Sequence, residues 1–461
     1  MNYLEKAKSY EDAFLQDLKD IIRIPSLRNV EEATENAPFG PQCRKVLDVM
    51  LEKAKKDGFQ VKDYQGYAGV IEYGEGEESV GILGHLDIVP IGEDWSRDPL
   101  GCEMEDGYVF GRGVLDDKGP TLCAYYALKM LKEQGFHPNK KIMLIMGCDE
   151  ESGMGCMDYY CKHGEIPTIG FTPDANFPLI YGEKGILNFH ICFDGETVIK
   201  KMTAGGRANV VIAKACALVD NITDEQKNLF SFYLESNGVH GEIREVPDGI
   251  EIEIQGLAQH SAYCYNGVNA GLLLLNFIAS AYQDSLSKQL YDLCKDWKGT
   301  GLNIALEGAF MGFLTMNTGV ISIENGHVDT LIDIRYPNDI SGSELIIKVE
   351  ECIKNKNYPF VLKDIHDSKP LFVDPKSNLI TTLEGSYRKY SGDDFTPIQT
   401  IGGGTYARKF DNFVAFGPEF PKKEETSFYV GGPHEKDEGM KLSQLLQAMA
   451  IYADAIEQLS K

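Results

Sequence analysis

Two titratable residues follow a buried-strand pattern in the segment VGILGHLDIVP. The apolar run Val80–Leu83 leads into His85 and Asp87, which stand two residues apart. Residues i and i+2 of an extended chain point to the same side, so the imidazole and the carboxylate leave one face. A metal-bound histidine usually donates its other ring N–H to an oxygen, and Asp87 could supply that oxygen. Taken alone, however, His85 is better explained as a turn residue.

Acidic residues follow further apolar segments in the same way. KIMLIMG leads into Asp149, Glu150 and Glu151, TIGFTP leads into Asp174, and GRGVLDDKG carries Asp116 and Asp117. The carboxyl ends of parallel strands line one crevice in open α/β sheets, so we expect these groups to converge. Such a cluster repels itself unless some acids are protonated or a cation neutralises them. A divalent metal is the simpler explanation.

The adjacent acids Glu150 and Glu151 are expected to do two jobs. Neighbours at a strand-to-helix corner point in different directions, so one can bind a metal while the other faces a substrate. The alternative is that they stabilise the N-terminus of a helix in SGMGCMDYYCKHG. A phosphate loop at GRGVLDDKGPT is disfavoured, because the GxxxxGK[ST] spacing is missing and two anions stand where phosphates would bind.

The composition excludes several classes of function. The chain has 461 residues and a net charge of -25, which disfavours nucleic acid and anionic membranes as partners. Charges throughout the first 22 residues predict no signal peptide, and no apolar run is long enough for a membrane span. The eleven cysteines are scattered, with no CxxC pair, as expected for reduced thiols. These features together predict a cytoplasmic protein.

The pattern of elements predicts two domains. Strands alternate with helices at first, with a helix over Tyr3–Ile22, and near-continuous apolar strands indicate burial on both faces. From residue 186 to 374 the strands alternate more clearly, and Asn325-Gly326 predicts a hairpin turn. The α/β character then returns, ending in a helix from about Gly439 to Leu459. We therefore predict an α/β domain over 1–185 and 375–461, interrupted by an α+β module over 186–374.

Ordered motifs along nearly the whole chain resemble one family. GHLDIVP, GRGVLDDKGP, DEESG, TPDANFPLIYGEKG, IGGGTYAR and GGPHEKDE are similar to the co-catalytic zinc exopeptidases that include aminoacylase and carnosinase. The EDWSRDPLGCEMEDGYVFGRG context and the long insertion resemble the PepV-type Xaa-dipeptidases within that family. The resemblance implies a zinc-exopeptidase catalytic domain, with a mixed central sheet flanked by helices, and an inserted α+β lid domain.

The resemblance also implies a role for each motif residue. Asp116, rather than Asp117, would bridge two divalent metal ions, Zn²⁺ with Mn²⁺ or Co²⁺ as alternatives. The remaining metal ligands would be His85 and Asp174 on one side and Glu151 and His434 on the other. Asp87 would hold His85, and Glu150 would be the general base and acid. On the lid, His260 would help to stabilise the oxyanion; the substrate-binding residues would be Asn209, Arg335, Gly403, Gly404 and Thr405.

The expected function is hydrolysis of dipeptides with a free N-terminus by a water that the two metals activate. An N-acyl amino acid deacylase or desuccinylase of the same family is the alternative, because it would share the metal site. A non-catalytic binding protein should have lost ligands or the base, and none is missing here. By the same resemblance, the length of the inserted module would replace a second subunit's lid and permit a monomer.

Overall fold

The computed structural model describes residues 2–422 and 425–461. Met1, Lys423 and Glu424, which the predicted α/β ranges include, lie outside the described residues. The chain divides into two compact units. Unit 1 comprises Met1–Gly182, Val373–Gln399 and Gly404–Lys461; unit 2 comprises Glu183–Phe372 and Thr400–Gly403. The predicted boundaries at 185 and 374 therefore lie within three residues of these. The segment Thr400–Gly403, predicted to belong to the α/β domain, belongs to unit 2 instead.

The first part of the chain alternates helices and short strands. Its elements are α1 (Tyr3–Lys8), α2 (Glu11–Ile22), α3 (Pro41–Lys56), β1 (Gln60–Tyr64), β2 (Ala68–Tyr73), β3 (Ser79–His85), β4 (Glu103–Glu105), β5 (Tyr108–Phe110), α4 (Lys118–Glu133), β6 (Lys141–Gly147), α5 (Gly155–His163), β7 (Ile169–Thr172), β8 (Ala175–Asn176) and β9 (Ile180–Glu183).

The middle part contains more strand than helix. Its elements are β10 (Gly185–Asp194), β11 (Lys201–Gly205), β12 (Lys214–Val219), α6 (Asp224–Asn237), β13 (His240–Val246), β14 (Gly249–Gln255), α7 (Ala270–Ala281), α8 (Ser285–Cys294), β15 (Glu307–Gly308), β16 (Gly312–Phe313), β17 (Thr315–Glu324), β18 (His327–Tyr336), α9 (Gly342–Asn355), β19 (Val361–Ser368) and β20 (Leu371–Phe372). The predicted hairpin is confirmed, since Asn325 and Gly326, both with positive φ, join β17 to β18.

The last part of the chain returns to α/β character. Its elements are α10 (Asn378–Ser391), β21 (Gln399–Ile401), β22 (Phe413–Ala415), β23 (Pro418–Glu419), β24 (Gly439–Lys441) and α11 (Leu442–Leu459). The final helix begins three residues later than predicted, because Gly439–Lys441 pairs with β5 as a strand.

The main sheet of unit 1 is mixed, as expected. Its strands run in the order β1-β2-β6-β3-β7-β22. Strand β3 is parallel to both β6 and β7, and β22 is parallel to β7, whereas β1 and β2 are antiparallel additions. Strand β3 is buried along its whole length, which explains its unbroken apolar run. The parallel arrangement brings the carboxyl ends of β3, β6 and β7 to one edge.

Unit 2 contains an antiparallel sheet of eight strands in the order β13-β14-β12-β11-β17-β18-β10-β19. Its strands alternate buried and exposed residues, as in β11, and helix α7 packs its apolar face on the buried side. The unit therefore has its own hydrophobic core, which is consistent with an inserted module.

The predicted first helix is wrong in one respect. The chain forms two helices, α1 and α2, with a break at Ser9 and Tyr10. The Ser9 hydroxyl donates to the carbonyl of Lys6 at 2.6 Å, and the Tyr10 N–H bonds three residues back to Ala7. A serine side chain that binds the preceding turn competes with the helical ladder, and periodicity alone does not detect this competition.

Candidate metal centre

The three parallel strands place acidic and imidazole groups at one edge of the unit 1 sheet. His85 is the last residue of β3, Glu150 and Glu151 follow β6, and Asp174 follows β7. Asp116 lies two residues before the start of α4, and His434 lies in the loop before β24. The five predicted metal ligands are therefore close together, although 349 positions separate His85 from His434 (434 − 85).

One group of possible ligands is His85, Asp116 and Asp174. Their ligand atoms all lie within 4.8 Å of one another. Nε2 of His85 is 2.9 Å from Oδ1 of Asp116 and 3.8 Å from Oδ2 of Asp174. His85 and Asp116 are both buried. A neutral imidazole and two carboxylates form a donor set that suits a divalent cation such as Zn²⁺.

A second group consists of Asp116, Glu151 and His434. Nε2 of His434 is 3.1 Å from Oδ2 of Asp116 and 3.1 Å from Oε2 of Glu151. Asp116 thus uses one carboxylate oxygen in each group, Oδ1 towards His85 and Oδ2 towards His434. A carboxylate shared in this way can bridge two cations, and the residues present fit two metal ions.

Asp87 lies behind this site and contacts several of its parts. Its carboxylate accepts the backbone N–H of Glu150 at 3.1 Å and of Glu151 at 3.2 Å. The same carboxylate is 3.5 Å from Nδ1 of His85, and Nδ1 lies 3.1 Å from the Asp87 carbonyl oxygen. This leaves Nε2 of His85 directed at Asp116. Asp87 therefore orients an imidazole and the segment that carries both glutamates.

Helix-terminal stabilisation does not explain Glu150 and Glu151. Helix α5 begins only at Gly155, after Met154 in a left-handed conformation. The two glutamates precede its first turn, and Asp149 rather than either of them accepts the Gly155 N–H, at 2.9 Å. Of the two explanations for the pair, the strand-to-helix corner is the one compatible with the backbone.

Glu438 is a structural member of the site that sequence reasoning missed. Its Oε1 accepts the backbone N–H groups of Gly113, Leu115 and Asp116 at 2.9, 2.9 and 3.1 Å. Its Oε2 pairs with the buried Arg112 at 2.6 Å. Glu438 thus fixes the loop that presents Asp116. Its only sequence signal is its place in the same GGPHEKDE motif as His434.

The electrostatics of the site show that it needs positive charge. Burial raises the pKa of Glu150 to about 8, and neighbouring carboxylates add to the shift although His85 opposes it. Burial also raises the pKa of Asp174 well above its usual range. Hydrogen bonds with Asp116 and Glu151 raise the pKa of His434 to about 10. Crowded carboxylates favour any cation, whether protons or divalent metal ions.

A cavity of about 220 Å³ in unit 1 opens onto these groups. Both metal-ligand groups border it through Asp116, Glu151, Asp174 and His434, together with Glu150. Gly404 and Thr405 also line the cavity. Of the adjacent residues Glu150 and Glu151, both border the cavity, but only Glu151 belongs to a group of possible ligands.

The other predicted site residues lie in unit 2. The carbonyl of Asn209 accepts the Ser261 N–H at 2.9 Å, so Asn209 and His260 are neighbours. Burial lowers the pKa of His260, and the positive charge of Arg335 lowers it further. Gly403 also belongs to unit 2, whereas Gly404 and Thr405 belong to unit 1.

Arg335 is buried and held in a fixed orientation. Nε and Nη2 donate to the Asp333 carboxylate at 2.7 and 3.0 Å, and Nη1 donates to the Gly402 carbonyl at 3.0 Å. Asp333 was not predicted, although its i, i+2 spacing from Arg335 in an alternating strand was a usable signal.

A third group in unit 2 resembles a metal site only in composition. Cys216, Glu251 and Glu253 bring their ligand atoms within 4.8 Å of one another. However, Lys214 and Arg244 bind Glu253 at 3.0 and 2.8 Å. The chain's own cations already neutralise this acid, so we assign no metal to the group.

Comparison with known proteins agrees with the geometry. The sequence profile of peptidase family M20/M25/M40 matches residues 81–458. A Staphylococcus epidermidis protein named "Putative dipeptidase" is 38% identical over 470 residues, covering 98% of each chain. "Putative dipeptidase YtjP" of Bacillus subtilis is 34% identical over 475 residues, covering 100% of each.

Solved structures share the fold at low sequence identity. The crystal structure of aminopeptidase PepT from Bacillus cereus superposes with a TM-score of 0.59 at 13% identity, covering 98% of this chain and 99% of that one. In the part of the chain that the structure describes, no helix combines the length and apolarity needed to cross a membrane.

Proposed function

We propose that this chain, which belongs to peptidase family M20/M25/M40 and is a hydrolase acting on peptide bonds, is a metal-dependent dipeptidase of the PepV type. Its substrates would be dipeptides with a free N-terminus. The observation that carries the proposal is the shared carboxylate of Asp116, which joins two ligand groups beside Glu150 in one cavity. The relatives named as dipeptidases match over nearly the full length, which supports the same class of substrate.

The proposed metal ligands follow the two groups in unit 1. His85, Asp116 and Asp174 would hold one divalent ion, and Asp116, Glu151 and His434 the other. The mixture of imidazole and carboxylate suits Zn²⁺ and also admits Mn²⁺ or Co²⁺. When bound, two such ions would lower the pKa of an attacking water and polarise the scissile carbonyl.

Glu150 would act as general base and then as general acid. In this role it takes the proton of the attacking water and delivers it to the leaving amine. Its position supports this role, because Glu150 borders the cavity beside both ligand groups without belonging to either of them. Asp87 supports this role because it fixes the backbone N–H of Glu150.

Unit 2 would act as a lid that completes the site. We assign to His260 the stabilisation of the oxyanion, and to Asn209 and Arg335 the binding of substrate, Arg335 through the substrate's terminal carboxylate. Gly403, Gly404 and Thr405 would line the substrate site. The fixed orientation of Arg335 on Asp333 supports the assignment, because a pre-oriented guanidinium loses little entropy when it binds a carboxylate.

The test is the variant Glu150→Ala. We expect it to fold and bind metal as the wild type does and to lose turnover by roughly 10²–10⁴-fold, since it lacks only the proton-transfer group. Turnover, metal content and circular dichroism are measured together. Glu93→Ala, at an exposed glutamate between β3 and β4, serves as the control and should leave turnover unchanged. Wild-type kcat in Glu150→Ala would show that the base assignment is wrong.

A substrate panel separates the dipeptidase from its family alternative. Dipeptides and their N-acetylated analogues are compared at equal concentration with the metal-loaded enzyme. We expect a clear preference for the free amine. Equal rates, or faster release of acetate or succinate from N-acyl amino acids, would favour an N-acyl amino acid deacylase or desuccinylase.

A further inference from the structure

The segment that directly follows His260 reads SAYCYN and carries two aromatic residues. In the structure these residues form a 3-10 helix, Ser261–Asn266. Ala262 and Cys264 are buried, while Tyr263 and Tyr265 are each about half exposed, at 49% and 48%. The two tyrosines therefore contribute little to the core.

The two tyrosine rings begin a continuous series of aromatic contacts. Tyr263 and Tyr265 have ring centroids 6.4 Å apart, Tyr265 and Trp297 are 5.2 Å apart, and Trp297 and Phe313 are 6.0 Å apart. All four line a cavity of about 480 Å³ that lies within unit 2. We call this the aromatic cavity. A cavity with several aromatic walls and few polar groups is typical of a binding site for a small molecule.

The aromatic cavity adjoins two residues of the proposed lid. Ala262, two positions after His260, and Gly402 both border it. The carbonyl of Gly402 accepts a hydrogen bond from Arg335, so the guanidinium lies directly behind this wall. Gly402 and Ala262 are in close contact, because a Cβ added at Gly402 would come within 2.6 Å of the Ala262 Cβ.

We propose that the aromatic cavity is the subsite for the side chain of the substrate's C-terminal residue and that it selects a large aromatic side chain. The inference rests on the proposed function, in which Arg335 binds the terminal carboxylate of that same residue. A carboxylate bound at Arg335 and a side chain placed beyond Gly402 are compatible with a single amino acid, because both groups are attached to the same Cα. The four rings offer edge and face contacts to a fifth ring.

The charges around the cavity favour a neutral occupant over a basic one. The ammonium of Lys298 lies 5.1 Å from the Trp297 ring centroid and 4.7 Å from that of Phe313. Lys184 lines the cavity itself, and its ammonium donates to the carbonyl of Phe313. One cation in the wall and a second beside two of its rings disfavour a lysine or arginine side chain through like-charge repulsion. The expected order is phenylalanine, tyrosine or tryptophan first, then alanine or glycine, with lysine and arginine last.

The first experiment measures kcat/KM of the metal-loaded enzyme for Ala-Phe, Ala-Ala, Ala-Glu and Ala-Lys. We expect Ala-Phe to exceed Ala-Ala by at least roughly tenfold, which is the discrimination an apolar pocket provides for a modest difference in side-chain size. In Tyr265→Ala and Trp297→Leu this ratio should fall towards one, because Ala-Phe loses more of its contacts with the aromatic cavity than Ala-Ala does. Phe232→Ala, a 66% exposed aromatic of the same unit outside the cavity, should keep the wild-type ratio. A ratio near one in the wild type, or a preference for Ala-Glu, would overturn the inference even if dipeptides are hydrolysed.

The second experiment needs no turnover. Trp297 is a fluorescent reporter in the cavity wall, so L-phenylalanine added to the wild-type protein should change the tryptophan emission, and glycine should not. The change should disappear in Trp297→Phe and remain in Phe232→Ala. This signal together with no hydrolysis of any dipeptide would support the subsite and contradict the proposed function. Absence of the signal, with hydrolysis intact, would contradict the subsite. If Tyr265→Ala changes the oligomeric state by light scattering and leaves the substrate ratio unchanged, the cavity is instead a contact between copies of the chain.

Discussion

At the scale of single residues, Asp87 is the clearest example of a group that acts through others. It does not belong to either group of possible metal ligands. Its two carboxylate oxygens instead accept the N–H groups of Glu150 and Glu151, and its side chain faces Nδ1 of His85. One buried carboxylate therefore sets the positions of a ligand histidine, a ligand glutamate and the proposed base.

The variant Asp87→Asn tests this positioning role. The amide replaces one acceptor oxygen by an NH₂ group, so one of the two backbone N–H groups loses its partner. We expect metal affinity or kcat/KM to fall by roughly 10–100-fold, as is usual for groups that orient metal ligands. Metal affinity is measured by titration of the stripped protein, and kcat/KM with a dipeptide.

Asp194→Asn is the matched control for that substitution. Asp194 pairs with His327 at the surface, and its side chain is 81% exposed, so the variant should behave as the wild type. Unchanged metal affinity and unchanged kcat/KM in Asp87→Asn would show that His85 and the glutamates hold their positions without Asp87.

At the scale of elements, the loop between β5 and α4 determines where Asp116 lies. Glu438 satisfies three backbone N–H groups of this loop, and Arg112 pairs with the same carboxylate. Burial raises the pKa of Glu438 to about 7, although Arg112 opposes the shift. The loop therefore depends on a residue more than 300 positions away (438 − 116 = 322).

Glu438→Gln should weaken both the fold and the metal site. At pH 8, above the pKa of Glu438, the substitution leaves the buried guanidinium of Arg112 without its counter-charge. Removing one partner of a buried ion pair typically costs about 3–5 kcal/mol. We expect a lower melting temperature and, because the Asp116 loop loosens, weaker metal binding. Thermal unfolding and metal titration at pH 8 measure the two effects.

Glu253→Gln separates the two effects. Glu253 is also a buried glutamate, paired with Lys214 and Arg244, but it lies in the sheet of unit 2. This variant should lose stability and keep its metal affinity. If Glu438→Gln also kept its metal affinity, the loop would not depend on Glu438 for its shape.

At the scale of the whole molecule, the dominant feature is negative charge. The chain carries 70 acidic and 45 basic side chains, and several of the buried acids meet at the sheet edge of unit 1. Bound cations should relieve this repulsion, so metal binding and stability are expected to change together.

Removal of metal tests this coupling. Protein stripped with a chelator should be inactive and should melt at a lower temperature than the loaded protein. Zn²⁺ or Mn²⁺ at about 100 times its Kd should add roughly 2.7 kcal/mol per occupied site to the free energy of unfolding and restore activity. The variant Asp116→Asn lacks the shared carboxylate charge, so the same ions should add much less to its free energy of unfolding. Stripped wild-type protein that stays active, or that gains no stability from either ion, would contradict the two-metal site.

We also expect the protein to be a monomer. By the resemblance to PepV-type Xaa-dipeptidases, the length of the inserted module would replace a second subunit's lid. Light scattering should therefore give a mass near 51.3 kDa at micromolar concentration. An obligate dimer would show that the inserted module does not have this role.

The sequence alone determined the local features of the site. Apolar runs that end near His85, Glu150 and Asp174 predicted strand ends with a cluster of acids, because side-chain periodicity and burial are properties of short segments. The hairpin at Asn325-Gly326 followed from the same kind of local pattern, whereas the mixed sheet was implied by the family resemblance, which rested on motifs ordered along the chain. The break in the first helix was missed, since a single serine hydroxyl competes with the helical ladder there.

Only the tertiary structure decided how distant segments meet. That Asp116 offers one oxygen to His85 and the other to His434 depends on loop paths that no periodicity encodes. The tertiary structure likewise decides that Glu438 lies behind the Asp116 loop, that Thr400–Gly403 belongs to unit 2 and that four rings enclose the aromatic cavity. The physical reason is that hydrogen bonds and packing between distant segments depend on the geometry of the folded chain, whereas periodicity reports only which face of each segment is buried.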